Sequence, residues 1–267
     1  MILLAVAALQ LASGPCGQAL QQAQTSFQQR AFPDAAQAFE KALSLCPDRL
    51  AVLVPLAQTL VLTADEPAAE ARLREALALA PRHPAALYSL GRLYYTQGRY
   101  PEAVTHLKLL TELEPAHYRA HDNLALCYDL LQQDTLALKH FFRTLDLVKD
   151  THPDYDWAFS NTAEFFLKRD QFDKAFQLAA EAASRNPQSA RNFYLTGTAL
   201  VKLRRDEQSL RWLQRAVELD PAHAEARFQL GHALRRLGRT AEARPHLDAF
   251  RRLKAPAPAT PGQPSPR

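Results

Sequence analysis

At 267 residues, with 47% hydrophobic and 22% charged side chains, the chain is long enough for one or two globular domains and too apolar for a disordered one. Only eight glycines stand against abundant Ala, Leu, Gln and Arg, so helices are favoured over strands and an all-α protein is expected. The formal net charge of +4 is modest and gives no general argument for an anionic partner.

The chain opens "MILLAVAALQLASGPCGQAL". Its apolar run, residues 2–12, is shorter than the roughly 20 residues needed to span a bilayer and matches the h-region of a secretory signal. Gly17 and Ala19, or Gly14 and Cys16, stand in the −3 and −1 relation that signal peptidase favours. Residues 1–19 therefore read as a signal peptide with an unfixed cleavage point, and the protein as periplasmic or secreted by a bacterium. No Lys or Arg precedes the run, which keeps open the alternative of a cytoplasmic protein with an apolar first helix. "LASGPC" approaches a lipobox, but Pro15 breaks that pattern, and nothing else argues for membrane association beyond export.

Sliding the chain along itself brings Pro47 onto Pro81 and Pro115, and Pro187 onto Pro221, at a step of 34 residues. Seven blocks result: 16–49, 50–83, 84–117 and 118–151, then 156–189, 190–223 and 224–257, with "HPDY" inserted at 152–155. One column reads Ala23, Ala57, Gly91, Ala125, Ala163, Gly197, Gly231, and another, twelve positions on, reads Ala35, Ala69, Ala103, Ala137, Ala175, Ser209, Ala243. Small residues on each side of a turn are what an antiparallel helix pair needs for close approach. Large residues fill the complementary columns, Leu60, Tyr94, Tyr128, Phe166, Leu200 and Leu234 on the first helix, and Phe39, Leu73, Leu107, Phe141, Leu213 and Leu247 on the second. Gly98 and Gly238 lie between the small columns and suit the exit from the first helix, where positive φ carries no Cβ penalty in glycine.

The period, the small columns and the pattern in "LGRLYYTQGRYPEAVTHLKLLTELEP" resemble the tetratricopeptide repeat. The resemblance spans nearly the whole chain after the leader. It implies an all-α, right-handed superhelical solenoid of about seven stacked helix pairs, whose first helices line a concave surface. Departures are visible in block one (polar Gln22 and Ser26), block four (Lys149 in place of the closing proline) and block seven (Arg227 in a core column, Pro245 inside the second helix). Atypical end repeats fit a face that meets water. The changes in block four predict a longer helix or an altered turn near residues 146–157. Residues 258–267 read as a disordered, proline-rich tail.

Cys16 begins the first helix of block one and Cys46 ends the second, so an antiparallel pair brings them to one end of the unit. A disulfide between them is feasible in an oxidising compartment, the alternative being that Cys16 leaves with the leader. Cys127 reads as a buried small hydrophobe. His117 and His121 are four apart, but they fall at a block junction and in a core column, without a supporting carboxylate or cysteine, so no metal site or other cofactor is assigned. No nucleophile elbow, phosphate loop or paired-carboxylate motif marks an enzyme, and no small-molecule substrate is implied.

In the family, the groove lining falls on the second, fifth, ninth and twelfth positions of each block. Here the resemblance selects Tyr88, Arg92 and Tyr95; Arg119, Asp122 and Asp129; Trp157, Ser160 and Glu164; Arg191, Tyr194 and Thr198; and Glu225, Phe228, His232 and Arg235. Aromatics interleaved with charges suit an extended peptide or protein segment. The lysine, asparagine and arginine clamp that some members use for a terminal carboxylate is not reproduced at Val54, Gln58, Ser89, Arg119 and Asn123. Block seven is basic, with Arg227, Arg235, Arg236, Arg239, Arg244, Arg251, Arg252 and Lys254 against Glu225, Glu242 and Asp248. Without an aromatic-interleaved basic stripe, this argues for a solvated terminal face over nucleic acid. The expected function is a non-enzymatic interaction scaffold. Self-association or assembly through the convex face or repeat ends is the alternative, and anionic-surface binding through block seven comes behind both.

Overall fold

The computed structural model describes residues 14–255. The regular structure among them is fourteen α-helices falling in two compact units, Met1–Thr144 and Leu145–Arg267. The leader up to residue 13 and the tail from 258 lie outside the described residues.

The first unit holds α1 (Pro15–Gln28), α2 (Phe32–Leu45), α3 (Arg49–Leu62), α4 (Glu66–Leu79), α5 (Pro84–Thr96), α6 (Tyr100–Leu113), α7 (Tyr118–Leu130) and most of α8 (Asp134–Val148). The second holds the end of α8, then α9 (Trp157–Leu167), α10 (Phe172–Arg185), α11 (Ala190–Lys202), α12 (Asp206–Leu219), α13 (Ala224–Arg236) and α14 (Thr240–Lys254). In the first unit α1 to α7, and in the second α9 to α14, each pack on the next in sequence, α7 meets α8 through His121 and His140, and first helices also touch, α3 on α5, α5 on α7, α9 on α11 and α11 on α13.

The starts of these helices are written locally. Pro33, Pro67, Pro84 and Pro101 occupy first-turn positions, where the missing N–H has no helical partner to lose. Asp48, Asp65, His83, His117, Ser189 and His223 accept a backbone N–H three residues on, capping α3, α4, α5, α7, α11 and α13. The prolines that close the blocks sit in the turns before α3, α5, α7, α11 and α13. Pro55 and Pro245 fall inside α3 and α14, and both helices continue past them.

Close approach of the paired helices is literal. A Cβ added to Gly91 would lie 2.7 Å from Leu107 Cγ, and one added to Gly197 would lie 2.5 Å from Leu213 Cγ. Both small columns are buried throughout, as are Phe39, Leu73, Leu107, Phe141 and Leu213. Arg227 is half-buried in its core column and donates from Nε to the Pro221 carbonyl at 2.7 Å, so its charged head stays at the turn.

The exit from each first helix is left-handed in all seven repeats. Gly98 and Gly238 have φ of 74° and 78°, but Arg30, Ala64, Gln132, Asp170 and Arg204 occupy the same turn at φ of 55–62°. α8 runs for 15 residues, and residues 149–156 then lead into α9, with the Tyr155 N–H bonded to the His152 carbonyl at 3.0 Å.

Cys16 and Cys46 are joined by a disulfide, with Cα atoms 5.0 Å apart, which ties the first turn of α1 to the end of α2. Gly17 and Ala19 are buried in α1, so the first turn of that helix belongs to the packed repeat. Cys127 is buried and free, and desolvation pushes its thiol up to about 12.

Because an L-residue in the left-handed region is strained by roughly 1–2 kcal/mol, Ala64→Gly is expected to stabilise the chain by about 0.5–1 kcal/mol after the unfolded-state entropy of glycine is deducted. Urea denaturation of the two proteins measures it. Replacing Cys16 and Cys46 together by serine releases a loop with a sequence separation of 30, whose closure is worth about 3.5 kcal/mol, and a correspondingly lower thermal midpoint is expected.

Candidate functional site

In the first unit the first helices of three successive repeats enclose a cleft of about 400 Å³, bounded by α3, α5 and the start of α7. Val61 and Leu62, 42% and 40% exposed, supply an apolar wall from α3. Tyr88, Ser89 and Arg92 line it from α5, and His117 and Arg119 at the entry to α7. The Tyr88 ring packs on His117 with centroids 5.0 Å apart, and burial pushes its phenol above the usual range. Gln58 donates to Ser89 Oγ at 3.1 Å, tying α3 to α5 beside the cleft.

The second unit presents a different surface. Arg191 on α11 donates to Ser160 Oγ at 2.6 Å, to Asn161 Oδ1 at 3.1 Å and to Glu164 Oε2 at 2.6 Å, all on α9. Its guanidinium also lies 5.2 Å from the Trp157 ring, which is 53% exposed. Burial works to raise the Glu164 carboxyl, but hydrogen bonds and charge from Arg191 and Lys168 outweigh it and hold the group below the ordinary carboxylate range. Asn192 joins α11 to Asp156 at 2.6 Å and to the Ala182 carbonyl at 3.0 Å, with both side chains buried. Tyr194 is half-buried against His223, centroids 4.7 Å apart, and burial raises its phenol. Phe228 packs between His232 and Phe250 at 4.3 and 4.8 Å.

The residues selected for the groove thus divide by exposure. Arg92, Trp157, Glu225 and Arg235 are exposed, and Tyr88, Tyr95, Arg119, Asp129, Glu164, Arg191, Tyr194, Phe228 and His232 are half-buried. Asp122, Ser160 and Thr198 were expected on an exposed face, but only 3%, 0% and 7% of each is accessible. The reason is the packing of adjacent first helices, which covers the short side chains between them. Gln58 and Ser89, considered from sequence only as positions where the carboxylate clamp is missing, and His117, considered only as a metal ligand, complete these surfaces together with Asp156, Asn161 and Asn192, which were not singled out. Their partners lie about one repeat away, 31 residues for Gln58 and Ser89, so pairing a position with its neighbour in the next block would have revealed them.

His117 and His121 do not converge. His117 Nδ1 accepts the Ala120 N–H, whereas His121 meets His140 on α8, Nδ1 to Nδ1 at 2.9 Å, with the rings stacked. Among the described residues no group of three or more His, Cys, Asp or Glu could hold a metal. The cations of block seven are largely engaged: Arg236 pairs with Asp206, Arg239 with Glu242 at 2.7 Å, Arg251 with Asp248 at 2.7 Å and Lys254 with Glu225 at 2.5 Å.

With this geometry in place, comparison with protein families matches the tetratricopeptide repeat over residues 65–127, and again over 161–222 and 194–258, together more than half of the chain. The chain belongs to the tetratricopeptide-repeat family. Its fold is similar to that of a tetratricopeptide-repeat protein from Parabacteroides merdae, with a TM-score of 0.70 at 14% identity over 90% of this chain and 94% of the other. PilF of Pseudomonas aeruginosa gives 0.67 at 21% identity over 79% and 95%. YrrB, described as a tetratricopeptide-repeat protein with an unusual peptide-binding site, gives 0.55 at 23% identity over 72% and 97%. Comparison with curated protein sequences finds no match.

Burial, then the neighbouring His121 and Lys139, hold the His140 imidazole down to about 4. Protonation therefore favours the unfolded chain: the contribution of His140 is complete above about pH 6.5 and is lost as pH falls toward the folded value. A falling urea midpoint is expected between pH 7.5 and 5, and His140→Leu should flatten that fall relative to wild type.

Proposed function

We propose that the protein is an exported scaffold that holds an extended peptide or protein segment along its first helices. The family and fold support protein–protein interaction in general, since tetratricopeptide-repeat proteins are as a class scaffolds and not enzymes. The observation that carries the finer reading is the first-unit cleft, where α3, α5 and the start of α7 leave an apolar wall, an aromatic ring and two arginines around about 400 Å³. That composition, apolar surface with a few placed polar groups, is what anchors a side chain and fixes the register of a peptide. YrrB, with its described peptide-binding site, is a precedent on a similar fold. Export is supported by the Cys16–Cys46 disulfide, which belongs to an oxidising compartment. No described helix is long and apolar enough to cross a membrane.

The test is selection of an unbiased phage-displayed peptide library on the intact protein, followed by titration of the recovered peptides against Tyr88→Ala and Trp157→Ala. Binding weakened about tenfold or more by either substitution, equivalent to about 1.4 kcal/mol, is the expected result and shows which unit carries the site. Enriched peptides indifferent to both would overturn the first-helix reading.

A further inference from the structure

The first-unit cleft has a charge that its own fold leaves uncompensated. Arg49, Arg72, Arg74 and Arg99, in the same unit, pair with Glu75, Glu40, Glu70 and Glu102. Arg92 and Arg119, by contrast, have no carboxylate partner among the described residues. The Arg92 guanidinium lies 5.7 Å from the Tyr88 ring centroid and that of Arg119 lies 5.5 Å from Tyr118. Glu114 is the acid that lines the cleft, and Asp122, near enough to act on Tyr88, is buried and engaged within the fold. Two guanidiniums thus stand at an apolar cleft, and among the described residues neither is ion-paired to a carboxylate, Glu114 included.

We infer that this cleft recognises a peptide segment in which an apolar side chain is flanked by an internal Asp or Glu. The apolar group packs against Val61, Leu62 and Tyr88, and the carboxylate binds Arg92 and Arg119. This rests on the peptide-binding reading given above and adds the chemistry of the ligand. A side-chain carboxylate is the ligand chosen because the charged donors at the cleft are the two guanidiniums, while the Gln58 amide already bonds Ser89; the free and amidated probes below separate a side-chain carboxylate from a chain terminus. Guanidinium–carboxylate hydrogen bonds are also about twice as strong as neutral ones, so they fix register where the apolar contact alone would slide.

The experiment is fluorescence anisotropy with three labelled probes, GSEDLFEDSG, GSKKLFKKSG and GSEDSSEDSG, each with a free and an amidated C-terminus. The first probe is expected to bind at least about tenfold tighter than the other two, a preference that shrinks as salt shortens the screening length, and amidation should leave it unchanged. Arg92→Gln and Arg119→Gln should each weaken it severalfold, and the double variant Arg92→Glu, Arg119→Glu should turn the preference toward the lysine probe. Circular dichroism and urea midpoints equal to wild type establish that the variants are folded, which the surface position of Arg92 favours. Equal binding of acidic and basic probes, dependence on the free terminus, or indifference to both arginines would each overturn the inference. Should library-selected peptides bind through Tyr88 while the acidic probe shows no advantage, the charge assignment falls and the peptide-binding reading stands. If neither library peptides nor probes bind, both fall.

Discussion

The distance between paired helices governs this molecule. At Gly91, Gly197 and Gly231 the neighbouring leucine occupies the space a Cβ would need, 2.5–2.7 Å from its ideal position. Glycine in a helix interior costs on the order of 1 kcal/mol relative to alanine, and the return is contact between a leucine and bare backbone, close to the density of a crystal. Everything else is dimensioned by it: the large residues fill what the close contact leaves open, and the turn between the two helices must be short enough to hold them there.

That turn shows how a geometric demand can be met without a sequence mark. Its left-handed residue is glycine at Gly98 and Gly238, but arginine, alanine, glutamine or aspartate elsewhere. Packing on both sides over-determines the backbone, so the strain of a side chain at positive φ is tolerated. The glycine reading of Gly98 was legible, and its extension to Arg30, Ala64, Gln132, Asp170 and Arg204 was not, because arginine, alanine and glutamine do not favour that region and one aspartate among them makes no pattern. The periodic columns, the core and the helix starts were all legible, since each is a local consequence of spacing or of a capping residue. The exposure of individual groove positions was not. Asp122, Ser160 and Thr198 disappear between adjacent first helices, and that depends on side chains one repeat away in sequence.

Polar pairs, buried at Asn192 and Asp156 and half-buried elsewhere, are the second consequence of stacking first helices side by side. Gln58 with Ser89, Arg191 with Ser160, Asn161 and Glu164, and Asn192 with Asp156 all run from one repeat to the next. A buried polar group left without a partner costs about 1–3 kcal/mol, so these bonds act as register marks more than as sources of net stability. A repeat displaced along the stack would break several of them together. Apolar columns, nearly alike in every repeat, cannot make that distinction.

The two units spend their arginines differently, and this bears on function. Arg191 gives three hydrogen bonds to α9, one of them to the Glu164 carboxylate, with Trp157 beside it, so its own charge is already paired within the unit. Arg92 and Arg119 are held by aromatic rings, which orient a guanidinium without satisfying its hydrogen bonds. A preorganised donor that lacks an acceptor binds a carboxylate with little reorganisation to offset, while a donor already paired must first break what it has. On the reading proposed above, a charged ligand is sought where the fold leaves guanidiniums without a carboxylate, as at Arg92 and Arg119, and not where arginines and aromatics are most numerous.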